Sequence, residues 1–283
     1  MASISSEQHT DSPPENMSSS SLHGAYVRVA EPHEYPEVID MLTRAFARDP
    51  SMNWFGGVKE LVPTYNDQPD QDKYSPATKQ TLKNLRAFQN TLVRGSTLQG
   101  GFVTVVVIPT DSGGETIAAA TVWLKPGQAM DFPISTVLRS GVLKVLFRWG
   151  VSGCKRVLND FNPYVEATLD RAFKSRSLDR LDSWHLLEMG VDPPYEGKGL
   201  CSLMMKDGFK RTAPKPVHLE ATKVRTRDIY AHYGFEVDEE HCFGKGSVDS
   251  SGIIAKGEAA TGYPEWVMTK VTSFFFLCAH SRN

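Results

Sequence analysis

Two periods of hydrophobicity alternate along this chain. Residues 25–30 alternate apolar and polar side chains as a strand does. From 34 to 48 the apolar positions Val38, Met41, Leu42, Ala45 and Phe46 recur at helical spacing. Asp49-Pro50 stops that helix, because a residue preceding proline is pushed out of the helical region. Residues 51–75 mix Pro, Asn, Asp and Gly and read as loop. A second helix covers 76–94, with Leu82, Leu85, Phe88 and Leu92 on one face. A hairpin of strands 102–108 and 116–124 follows, turning at Asp111-Ser112-Gly113-Gly114. Residues 127–180 read as helical, Ile134, Val137, Leu138, Val142, Val145, Leu146 and Trp149 forming an apolar stripe that suits core packing better than a lid or an oligomer face. A short helix at 165–174 ends this segment.

The remaining pattern predicts a strand at 184–191, a glycine-containing turn, and a helix at 199–211. A strand at 217–221, a helix at 226–232 and strands at 235–242 and 266–271 complete it. This order gives an α+β (α/β) fold, a mixed sheet with helices on both faces. One domain, 25–283, is expected to carry a helical insertion at about 127–180. The polar, Ser-rich residues 1–24 cannot bury enough apolar surface to order and read as a disordered tail.

Composition narrows the function classes. Hydrophobic residues are 40% and charged residues 23% of the 283, ordinary for a globular protein. A formal net charge of -2 gives no global field to attract nucleic acid or an anionic membrane, so neither is an expected partner. Cys154, Cys201, Cys242 and Cys278 match no zinc spacing and no disulfide framework. Free thiols, no metal and a cytoplasmic location are the expectation. The start shows no secretory signal, and the apolar run 274–278 is too short to span a bilayer, so it reads as docking on the domain or on a partner subunit.

The chemistry concentrates in Leu186-Leu187-Glu188-Met189-Gly190-Val191-Asp192-Pro193-Pro194-Tyr195-Glu196-Gly197-Lys198-Gly199-Leu200-Cys201. An apolar strand ends at Val191, two prolines delay the next helix, and spaced glycines let a ligand approach the main chain. The helix start then offers unpaired N–H groups and a partial positive charge, a site for phosphate oxygens. The spacing is neither a Walker A loop nor G-x-G-x-x-G.

Residues 184–235 resemble the GCN5-related N-acetyltransferase superfamily through two motifs. Val191, Pro193, Glu196, Gly199 and Cys201 stand where that family has V-x-P-x-x-[RQ]-x-x-G-x-[GA], with Glu196 and Cys201 as departures. Tyr230 to Phe235 is similar to its Tyr-x-x-x-Gly-Phe element. The resemblance implies a mostly antiparallel sheet and direct attack of an amine on acetyl-CoA. It assigns cofactor contacts to Met189, Val191, Glu196, Gly197, Lys198, Gly199, Leu200, Cys201 and Ser202. It also gives Tyr230 a role as proton donor to the leaving sulfur. The base is expected at His185, with Glu188 second. Strict alternation puts His185 on the face of Leu187, Met189 and Val191, and Glu188 on the other. Phe46, Asp49, Asn53 and Trp54 are the candidate acceptor contacts, Asp49 attracting an ammonium group and Trp54 stacking on it; the rival reading is a helix cap and a core aromatic. The acceptor is expected to be a small-molecule amine and the protein a monomer or homodimer. Protein or histone lysine acetylation and non-catalytic CoA binding are the alternatives.

Overall fold

The computed structural model describes residues 24–110, 113–128 and 133–271. Residues 1–23 of the expected tail, the first half of the hairpin turn and the apolar run 274–278 lie outside them. Seven strands form one sheet: β1 Tyr26–Val29, β2 Phe102–Pro109, β3 Glu115–Leu124, β4 Trp184–Val191, β5 Val217–Ala221, β6 Glu236–Phe243 and β7 Tyr263–Lys270. Their order is β1-β2-β3-β4-β5-β7-β6, and every neighbouring pair is antiparallel except β4–β5.

β2 and β3 are buried on both faces, so they read as nearly continuous apolar runs rather than alternating ones. On one face α1 (Tyr35–Ala45) and α3 (Pro76–Leu98) cover Val103, Val105, Val107, Ala120 and Val122. On the other, α7 (Leu200–Thr212) lies against Trp123 so closely that a Cβ at Gly208 would stand 2.6 Å from the indole. α8 (Val224–His232) continues that layer with Tyr230. α6 (Asn162–Ser175) returns to the α1 face, packing Val165, Leu169 and Phe173 on Val267.

Two expectations change. The segment 51–75 contains a helix, α2 (Pro50–Gly56). Asp49 ends α1 and then starts α2, its carboxylate accepting the amides of Ser51 and Met52 at 3.0 and 3.3 Å, with Pro50 preset for the first helical position. The apolar stripe also divides. In α4 (Ile134–Ser140) and α5 (Val142–Lys155) only Val145 and Trp149 of the stripe are buried, whereas Ile134, Leu138 and Leu146 are exposed. Trp149 packs on Phe88 of α3 at 4.5 Å between ring centroids.

Candidate active site

β4 and β5 run parallel but share only two register pairs, Trp184 with Val217 and His185 with His218. Beyond them the strands part. β5 is paired along its length with β7, and β4 only with β3. The Asp192 amide donates to the Ala118 carbonyl at 2.9 Å. Alternation along an antiparallel ladder therefore turns the backbone groups of Val191 and Met189 to the free edge. That edge borders a cleft of about 490 Å³.

At one end of the cleft the chain makes a short turn at Pro193–Tyr195 and enters α7. Gly197 and Gly199 hold φ of 75° and 80°, left-handed values that side chains resist. A Cβ at either would meet no atom within 4 Å, so the space above both is open. Among the described residues the amides of Gly197, Lys198, Gly199, Leu200 and Cys201 find no protein acceptor. Such orphan donors at a helix start form an anion site. Ser202 is withdrawn from it: its amide bonds to Gly199 O at 3.1 Å and its hydroxyl lies 2.6 Å from that of Tyr233. Lys198 points its ammonium at the Tyr195 ring, 5.3 Å from the centroid. Glu196 is exposed. Cys201, in the first turn of α7, packs into the layer of Trp123 and Tyr230, and burial pushes its thiol up to about 11, so it is uncharged.

The other end holds a cluster of titratable groups. Strict alternation along β4 is broken there. Val122 pairs with Glu188 and Trp123 with Leu186, which leaves Leu187 as a bulge. Leu186 and Met189 pack toward Trp123 and α7, while Leu187 packs with the α1 side and Gly190 faces Leu42, Ala45 and Phe46. The bulge thus places His185 and Glu188 together on the α1 face, correcting the expectation of opposite faces. Glu188 is 3% exposed, and no side chain meets its oxygens in normal hydrogen-bond geometry, the Gln89 amide lying near enough only for a weak interaction. Burial raises its pKa to about 8; the Gln89 side chain opposes the rise and the nearby Asp49 carboxylate adds to it. His185 Nε2 lies 2.8 Å from Glu220, and its ring stacks on His218 at 4.4 Å. Burial holds His218 well below the usual histidine pKa. Glu265, buried and bonded to Ser51 Oγ at 2.7 Å, is driven well above the usual carboxylate range by burial. Asp49 takes a further bond from Thr222 at 2.5 Å. Tyr230 lines the cleft on the opposite side, its phenol kept protonated by burial.

Of the expected acceptor contacts, Phe46 and Asp49 line the cleft and Asn53 and Trp54 do not. α2 turns Asn53 to the Ser251 carbonyl at 2.9 Å and Trp54 into an aromatic cluster with Phe243 and Tyr263. The opposite face of α2 supplies Met52 and Phe55, and the segment from α5 to α6 adds Val157, Phe161 and Leu169. Sequence reasoning missed these, and it missed His218, Glu220 and Glu265. The signal for His218 and Glu220 was present: they alternate with Val217, Leu219 and Ala221 in a short strand, which marks one face as polar.

No family model matches the chain. It is 32% identical over 120 residues to an uncharacterised N-acetyltransferase of Schizosaccharomyces pombe, a match spanning 42% of this chain and 47% of that protein. Among solved structures, a histone acetyltransferase HPA2-related acetyltransferase from Corynebacterium glutamicum aligns at 20% identity and TM-score 0.48, covering 88% of this chain and 97% of its own. Arylalkylamine N-acetyltransferase 2 from Aedes aegypti aligns at 15% and 0.49, covering 88% and 99%. The two motifs and the parted β4–β5 pair between them resemble the GCN5-related N-acetyltransferase superfamily, and over less than half its length the chain is similar to an N-acetyltransferase.

Proposed function

We propose that the protein transfers the acetyl group of acetyl-CoA to the amine of a small molecule with an apolar body. The observation that carries the reading is Glu188: a buried carboxyl without a strong partner on the cleft wall, its pKa about 8. The residues present suit the co-substrate. Free amides from Gly197 to Cys201 match a diphosphate, and the open edge of Met189 and Val191 matches the amides of a pantetheine arm.

An alkylammonium of pKa ~10.4 donating to an ordinary glutamate of ~4.3 works against about 8 kcal/mol. With the acceptor carboxylate near 8, the difference falls to about 3 kcal/mol. Glu188 takes the proton, and the freed nitrogen lone pair attacks the thioester carbonyl. As the tetrahedral intermediate collapses and the C–S bond breaks, Tyr230 supplies a proton to the departing sulfur and is reprotonated by the second proton that the acylated nitrogen sheds, while Glu188 returns its own to solvent. Acetyl-CoA contributes the activated acyl carbon. Asp49 and the Glu220–His185 pair give the chamber a negative field that draws a cation. Phe46, Met52, Phe55, Phe88, Leu92 and Phe161 line an apolar section for the rest of the acceptor.

Thiol release from acetyl-CoA, measured against panels of amines and lysine peptides, tests this. Release with amines bearing an apolar group is the expected result. Release with peptides alone, or CoA binding without any release, refutes it.

A further inference from the structure

The net charge of -2 conceals a local concentration of the opposite sign. Residues 133–159 contain Arg139, Lys144, Arg148, Lys155 and Arg156 and no acidic residue. In α5, Val145 and Trp149 are the anchored side, and Arg156 just beyond it donates to the Phe55 carbonyl at 2.8 Å. The opposite side of its first two turns, at i, i+3 and i+4, is Leu143, Leu146 and Phe147, all exposed, Phe147 92%; Val151, beyond the kink that Gly150 makes in α5, is 78% exposed. Ile134 and Leu138 extend the exposed apolar surface onto α4, whose last carbonyl is held by Asn90 at 2.8 Å. Lys144 and Arg148, one turn apart, flank this face and are exposed as well. Among the described residues no helix is long and apolar enough to cross a membrane.

We propose that this face is an interfacial docking surface for anionic phospholipid bilayers. An amphipathic helix with large apolar side chains beside exposed lysine and arginine matches the acyl–headgroup boundary, where apolar residues bury shallowly and cations meet lipid phosphates. A second copy of the chain suits it less. A two-fold contact sets the same patch against itself, bringing Lys144 and Arg148 toward their counterparts with no carboxylate in the segment to relieve them. The proposal is independent of the acyl-transfer reading.

The test uses the full chain, sedimented with phosphatidylcholine vesicles prepared with and without phosphatidylserine. Binding should require phosphatidylserine and weaken with salt. Phe147→Asp should lower it at least tenfold, and Lys144→Glu with Arg148→Glu by roughly 30-fold or more. Circular dichroism and the unfolding midpoint should not change, since all three side chains are exposed. The proposal is overturned by no binding to the anionic vesicles, by binding indifferent to these variants, or by light scattering that shows a dimer dissociated by Phe147→Asp. Vesicle binding that appears only after removal of residues 272–283 also overturns it, assigning the face to the chain's own end.

Discussion

Replacing Glu188 by glutamine separates the cost of this carboxyl from its use. Its folded pKa stands at about 8 against an ordinary 4.5. Between these values the folded protein holds a proton that the unfolded chain has released. Stability therefore falls as pH rises through that window, is unaffected below about 4.5, and levels off above about 8. Each unit is worth about 1.36 kcal/mol, so the full loss is on the order of 5 kcal/mol. Glutamine keeps the shape and removes the titration. Glu188→Gln should match the wild type within about 1 kcal/mol at pH 5 and exceed it by several at pH 9. In the same variant, thiol release should drop by roughly 10² to 10⁴. The wild-type kcat/KM should lose activity with decreasing pH through an apparent pKa near 8, and the variant should lack that limb. Urea unfolding from pH 5 to 9, run beside the kinetics, reads both effects. Parallel stability curves for the two proteins would falsify the burial argument, and an unchanged acidic limb would remove Glu188 as the base.

Tyr230→Phe should lower kcat about tenfold and leave CoA affinity unchanged, because the phenol faces the cleft while the proposed phosphate site is main chain; equilibrium titration with CoA separates the two. Gly199→Glu should abolish CoA binding by placing bulk and charge in the open space above the turn, and retained affinity in the same titration would contradict the site. Arg44→Ala removes a two-pronged bond of 2.8 and 2.7 Å to Asp192 that ties α1 to the end of β4. It should cost about 2 kcal/mol in urea unfolding, because the Asp192 carboxylate is left buried without a counter-charge. His185→Gln should reduce kcat less than Glu188→Gln does, since the ring is already engaged by Glu220; a larger loss would return the base to His185.

Periodicity was enough to read most of the scaffold, because β2 and β3 are long apolar runs and α1 and α3 bury regular stripes. The turn at Gly197 and Gly199 was equally readable: backbone conformation there depends on local glycine chemistry, and both adopt the left-handed values it permits. Three features escaped for distinct physical reasons. α2 was hidden because Asp49-Pro50 stops one helix with the same residues that cap the next. The exposed side of α5 was misread because periodicity reports that a helix has an apolar face without saying what covers it. The shared face of His185 and Glu188 depends on a bulge opposite Val122 and Trp123, a property of strand pairing that no window of β4 alone encodes.

That bulge links fold to chemistry. A regular β4 would leave Glu188 on the α1 face with Gly190 and turn His185 away from it, toward Trp123 and α7 and the apolar layer of Met205 and Leu219. The extra residue at Leu187 instead brings His185 onto the face of Glu188, beside the opening where β4 and β5 have parted. The Glu188 carboxyl there is buried enough to hold its proton near neutral pH, yet borders the cleft. Gln89 and Asp49 tune the carboxyl from opposite directions: the amide favours its charge and the carboxylate opposes it. Filling the site with a better partner, such as an arginine, would stabilise the fold and lower the pKa back toward the ordinary range. It would also restore most of the proton-transfer cost that burial removes. Under the proposed function, the lack of a strong partner is what lets Glu188 serve as the base, and an arriving ammonium group would supply that partner.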